Sequence, residues 1–233
     1  MGRGSEAGSA RRGTLIWDAA LRLWHWSFAS AVAGALVTGL LRDVTLMTWH
    51  QRFGWVVLGL LIWRIGWGIW GSAPARFDSF KATLSARVTG GRFDRGPQED
   101  GVARARVAQS SVRTVPGALL GLALPFFVLL QASAGLCTSD FIFNEGPLVR
   151  HASDTVVDVS SALHHRLYWI VIFCISLHLS AHLVYAVRGD SVVLGMITGR
   201  KQISVVPAEP RYGRAVLSAI AAAALLAAVM WVL

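Results

Sequence analysis

Residues 164–187 read HHRLYWIVIFCISLHLSAHLVYAV, an apolar run with no Asp, no Glu, one cation at Arg166 and four histidines. As a helix rising ~1.5 Å per residue it spans about 36 Å, more than the ~30 Å hydrocarbon core of a bilayer. Extended by one residue to 163–187, it is one of five such runs, the others being 23–41, 50–71, 116–138 and 214–233. The whole 233-residue chain agrees, with 54% hydrophobic and 15% charged residues, against about 25% charged in soluble domains. Its mean hydropathy is +0.52. Such a chain cannot cover a soluble core with polar surface, and it is too apolar for disorder. The reading is an all-α integral membrane protein, and soluble enzymes are set aside. The first run follows a 22-residue arm and reads as a retained span rather than a secretion signal.

The net charge of +9 would suit a nucleic-acid binder, but its placement does not. The cations lie between the spans: Arg3, Arg11, Arg12 and Arg22 before the first, eight in 72–115, and five in 188–214. The connections 42–49 and 139–162 hold one each, Arg42 and Arg150. The positive-inside rule puts the N-terminus, 72–115 and 188–214 in the cytoplasm. The C-terminus then faces the outer side, and no nucleic-acid partner is expected. Connection 139–162 carries Asp140, Glu145, Asp154 and Asp158. A surface for a basic partner and a merely solvated loop are both open readings. Residues 77–88 suit a short interfacial helix, and 84–114 a mobile loop. Trp24, Trp26, Trp49 and Trp231 fall at span ends, as an aromatic belt requires. Cys137 and Cys174 form neither CxxC nor CxxCH, so they read as inert thiols.

The spans contain no carboxylate, which counts against a proton- or cation-coupled transporter. They do contain histidine. His164 and His178 are 14 residues apart, within 40° of four full turns, so they share one face about 21 Å apart. Two stacked ligands on one helix face fit two haems in a bundle. Partners follow from depth. Span 4 runs inward, with His164 near its outer end. His50 is at the outer end of span 2, and His25 lies about 24 Å below the outer end of span 1. The pairs are therefore His50–His164 and His25–His178. Paired imidazoles leave iron no open site, which suits electron transfer. A single zinc or copper site would need its ligands at one depth.

His165 points about 100° away from the stripe. His182 shares its face but lies about 27 Å from His164, too deep to match His25. A contact to a haem propionate, a quinone site and a plain interfacial position all remain open for it. Arg64 shares the face of His50 and falls near the inner pair, where an anionic propionate needs a cation. Arg22, one turn before His25, is a second candidate. Arg52 and Arg166 could serve the outer haem or simply anchor the interface. Gly34, Gly39, Gly54, Gly59 and Gly135 could admit a macrocycle or serve ordinary helix packing.

The run WDAALRLWHW (17–26) resembles the WDxxxRxxHW opening of the bacterial cytochrome b561 family, which includes the b-type cytochrome subunits of nickel-iron hydrogenases. HQRFGWVVLGLLIWRIGWGIWGSAPARFDSF (50–80), NEGPL (144–148), HHRLYWIVIFCISLH (164–178) and MITGRK (196–201) resemble its later parts. The likeness covers about residues 14–202. It implies a four-helix haem-binding transmembrane bundle with two haem b groups and a quinone-reactive side. By motif position it puts ligand roles on His25, His50, His164 and His178. The fifth, C-terminal transmembrane helix falls outside that core.

The expected organisation is an N-terminal arm at 1–22, a membrane domain at 23–202 and a linker with the fifth helix at 203–233. The expected function is respiratory-chain electron transfer between quinone or quinol and a periplasmic redox partner. That partner would be a c-type cytochrome or a hydrogenase-like dehydrogenase, with membrane lipid around the chain and a larger complex or homodimer open. A stand-alone superoxide oxidase working at the outer haem is a variant. The different-class alternative is a haem-free membrane anchor or metal-ion transporter subunit.

Overall fold

The computed structural model describes residues 14–15, 17–72, 75–88, 114–140, 142, 144–189, 192–201 and 212–232. The arm before residue 14, the stretch 89–113, the linker 202–211 and the Trp231 side chain lie outside these, with the readings made for them.

Among the described residues seven α-helices and one two-stranded ladder follow in order: β1 (Thr14–Leu15), α1 (Ala19–Leu40), α2 (Val44–Trp70), α3 (Phe77–Val88), α4 (Val115–Gly135), α5 (Asp154–Val187), α6 (Val192–Thr198), β2 (Arg200–Lys201) and α7 (Tyr212–Val232). Helices α1, α2, α4 and α5 are long and apolar enough to cross a membrane. The short helix expected at 77–88 is formed as α3. α7 forms where a fifth span was expected, but its described apolar run, Arg214–Ala224, is shorter than a crossing requires.

Two helices start six or more residues before their apolar runs. α2 begins at Val44 because Asp43 caps it, accepting from the Thr45 backbone N–H at 2.7 Å and its hydroxyl at 2.6 Å. α5 begins at Asp154, whose charge suits a helix N-terminus. The connection expected over 139–162 is therefore helical from 154, after a single 3-10 turn at Val149–His151. His50 and His164 consequently sit inside their helices rather than at the ends. The reason is physical: a helix needs only its backbone ladder, so it continues through polar residues where an apolar run stops.

α1 packs along α2, α4 along α5, and α2 meets α4. Among the described residues α1 and α2 approach α5 through side chains, Val171 and the histidines among them. An apolar layer fills the middle of the bundle: Phe28, Ala31 and Val32 of α1, Val57 and Leu61 of α2, Val128 of α4 and Val171 of α5. Val171 is seven residues from His164 and seven from His178, so this layer separates two levels. α7 lies against α2, where the Trp63 indole donates to the Ala215 carbonyl (3.1 Å) and the Trp70 indole to the Ser218 hydroxyl (2.8 Å).

Asp18 closes the other end of α1–α2. It is 3% exposed. It caps α1 by accepting from the Leu21 N–H (2.7 Å), and it also accepts from the Trp67 indole (3.4 Å) and the Ser72 hydroxyl. The end bearing Asp18, α3 and α6 is the inner end in the charge reading above, and the end bearing residues 136–153 the outer.

Candidate functional site

The four histidines meet as two pairs. His50 of α2 faces His164 of α5 with ring centroids 6.0 Å apart and planes at 82°. His25 of α1 faces His178 of α5 at 6.3 Å and 47°. Hydrogen-bonded imidazoles would bring their centroids to about 5 Å. Two metal–nitrogen bonds of about 2 Å, with about 1.2 Å from each nitrogen to its ring centre, put them about 6.4 Å apart. Both gaps therefore match an imidazole–metal–imidazole sandwich. Among the described residues no three His, Cys, Asp or Glu side chains converge on one point. Both cysteines are free, and Cys174 is buried.

The outer pair is oriented from behind. His50 Nδ1 bonds the Ala35 carbonyl of α1 at 2.8 Å, and His164 Nδ1 bonds the Gln131 carbonyl of α4 at 2.9 Å. A carbonyl only accepts, so each Nδ1 carries the proton and each Nε2 keeps its lone pair for a metal. The Gln131 amide also donates to the backbone carbonyl of His164 at 3.0 Å. Gly39 and Gly135 make room for the rings: a Cβ there would lie 2.8 Å from His50 and 2.9 Å from His164.

A cavity of about 460 Å³ opens beside this pair, lined by His50, His164, Gly54, Gln131, Arg42 and Glu145 among others. Pockets for organic ligands run from roughly 300 to 1,000 Å³. A Cβ on Gly54, one turn past His50, would meet nothing within 4 Å, so this helix face is bare toward the cavity. A flat macrocycle fits such a wall. Of the glycines singled out in the sequence, Gly39 and Gly135 lie against the His50 and His164 rings, Gly34 packs on the Phe53 ring, and Gly54 faces open space.

Around the inner pair, several buried cationic and imidazole nitrogens have no partner among the described residues. Arg64 is 9% exposed, with its guanidinium 5.5 Å from the Trp24 ring and 5.2 Å from the Phe77 ring, and its Nη1 is unbonded. Arg22 Nε, His25 Nδ1 and His182 Nδ1 are likewise buried without a partner among the described residues, although Arg22 donates through Nη1 to the Ile197 carbonyl. Buried donors left open are costly, and anionic carboxylates would satisfy the two arginines. The ring of His182 stands edge-on to His178 at 4.4 Å, one turn further in.

Arg52 is exposed, with its guanidinium 4.8 Å from the Trp49 ring centre, and it does not line the cavity. Arg166 and His165 are exposed, and His165 also lines the cavity. Sequence reasoning missed Gln131, Arg42 and Asp18 as parts of these sites. The WD pair at 17–18 was visible as a motif, but nothing in it signalled a buried carboxylate bonding three groups.

A family model described as prokaryotic cytochrome b561 matches residues 16–199. No curated protein and no solved structure matches the chain.

Proposed function

The chain belongs to the prokaryotic cytochrome b561 family, and from that premise we propose that it is a di-haem b-type cytochrome of the bacterial inner membrane. As a family member with four membrane-crossing helices it is a membrane haem b electron-transfer protein. The finer reading is that it carries electrons between the quinone pool and a periplasmic redox partner, a c-type cytochrome or a hydrogenase-like dehydrogenase. The observation that carries the two-haem reading is the pair of ring separations, 6.0 and 6.3 Å.

When bound, haem would supply a one-electron couple at each level of the bundle. The chain's own residues do the rest. His50 and His164 hold the outer iron, and their Nδ1 bonds fix which nitrogen ligates. His25 and His178 hold the inner iron. Arg22 and Arg64 offer buried donors to the inner carboxylates. Arg52 remains a candidate for the outer haem, although its guanidinium is engaged over Trp49. The apolar layer from Phe28 to Val171 keeps water from between the two levels. In this reading the N-terminus is cytoplasmic, quinone reacts within the membrane, and α7, whose full 21 residues reach about 31 Å where its described apolar run does not, is a fifth crossing that ends in the periplasm.

The test is haem stoichiometry in protein purified in mild detergent. A reduced-minus-oxidised spectrum with a pyridine haemochrome count should give two b haems per chain, both reducible by a quinol analogue. Protein made with ample haem that carries none would overturn the reading and leave a haem-free anchor or metal transporter.

A further inference from the structure

Arg42 stands in the turn between α1 and α2 with φ 52°, and it is the single described non-glycine residue with a positive φ. The turn itself explains the angle. Leu41 ends α1 with its N–H on the Val37 carbonyl, and Asp43 already caps α2. The chain must reverse in one residue, and the left-handed conformation does that. Glycine is the residue suited to the position, because an L side chain there is strained. Arginine adds nothing to the turn, so what the position carries is the side chain.

Arg42 lines the outer cavity with His50 and His164. No other Lys or Arg lines it among the described residues, and the remaining charged lining residues are Asp140 and Glu145. A haem in this cavity would bring two carboxylates into a mouth that already holds two. Like charges at such a mouth repel unless a cation stands between them. The sequence-derived candidate, Arg52, turns its guanidinium onto Trp49 instead.

We propose that Arg42 is the cation that receives a haem carboxylate at the outer site, and that the strained turn is retained for this contact. The inference rests on the di-haem reading above. It makes Arg42 a cofactor-binding residue that raises the outer haem's potential, because a nearby positive charge favours the reduced form.

The test uses full-length wild-type protein, R42G and R42K in detergent, with no substrate added. Three quantities are read: haem per chain, thermal unfolding, and redox titration resolving the two haems. H50A identifies which signal is the outer one. R42G fits the backbone better than arginine, so where it keeps both haems it should unfold no earlier than wild type, and where it loses one it should unfold earlier only by the lost binding contribution. Its outer haem should be lost or become harder to reduce. A unit charge within about 10 Å at an effective dielectric near 20 changes the reduced-to-oxidised ratio at fixed poise roughly tenfold. The inner haem should not move, and R42K should stay close to wild type. An R42G protein with two haems and an unmoved outer potential overturns the proposal. So does an equal shift of both haems, which would be a general field effect. Wild-type protein without haem would instead sink the di-haem reading itself.

Discussion

His50 and His164 are held by one device, used once in each hairpin. Each donates from Nδ1 to a backbone carbonyl of the neighbouring helix, Ala35 for one and Gln131 for the other. Each lays its ring against the glycine four residues further on, Gly39 or Gly135. A carbonyl at position i and the Cα at i+4 share a helix face, so the glycine opens a notch directly beside the acceptor. The carbonyl's second lone pair takes the imidazole proton while the first serves the helix.

Gly39→Ala and Gly135→Ala should therefore disturb the outer haem alone. The new methyl would stand within 3 Å of the ring in each case, closer than real contacts allow, so the imidazole must tilt. Haem counts should fall toward one per chain, with the inner haem spectrum unchanged. Gly121→Ala is the control, because its Cβ would meet Phe80 at an ordinary 3.5 Å. Gly54→Leu, which fills the bare cavity wall, should also cost the outer haem. Two intact haems in all three site variants would show that the notch is ordinary packing.

Double substitutions test the pairing itself. If His50 and His164 hold one iron, His50→Ala/His164→Ala should retain one haem, as either single variant does. The crossed variant His50→Ala/His178→Ala should retain none. The same logic applies with His25 in place of His178. A crossed variant that keeps a haem would mean the rings exchange partners, and the pairs drawn from the 6.0 and 6.3 Å separations would be wrong.

The pairing is legible in the amino-acid sequence because its two ingredients are local. Helical phase puts His164 and His178 on one face, and counting from span ends matches their depths. What sequence does not carry is how each helix is rotated about its axis against its neighbours. Gln131 gives no sign in an apolar run that its amide will reach the His164 carbonyl. Arg42 looks like a loop cation because no pattern announces a left-handed arginine. The starts of α2 and α5 escape the apolar count for a different reason. Such a count marks where a chain can enter lipid, while Asp43 and Asp154 mark where the helix begins.

Asp43 should make the outer turn sensitive to acid. Its carboxyl is held below the usual carboxylate pKa, first by the Thr45 hydroxyl and then by the Thr45 backbone N–H. A lowered folded pKa means the charged form stabilises the fold above the unfolded value, and that contribution fades as pH falls through the folded value. Thermal unfolding of wild type and Asp43→Asn should differ by a constant amount from neutrality down to about pH 4, near the ordinary carboxylate pKa. Below that the two curves should converge. A difference that persists in acid would assign the cap's contribution to geometry rather than charge.

Asp18 gives the strongest stability prediction. Its carboxylate is buried and joins three groups: the Leu21 N–H, the Trp67 indole and the Ser72 hydroxyl. Losing a cap costs about 1 kcal/mol, and hydrogen bonds to a charged group are each worth roughly 1.5–3 kcal/mol. Asp18→Ala should thus destabilise the protein by about 2–4 kcal/mol, less than the simple total because the donors can recruit water at the inner end. The damage should be directional. Trp67 belongs to the inner cluster with Trp17, Leu21 and Ala75, and Trp24 packs against it. Trp24 in turn lies under the Arg64 guanidinium. Arg64 should therefore lose its fixed position, and the inner haem should leave at lower temperature than the outer. Following both haem spectra through a thermal ramp checks this. Simultaneous loss of both haems at an unshifted temperature would show that Asp18 merely caps α1.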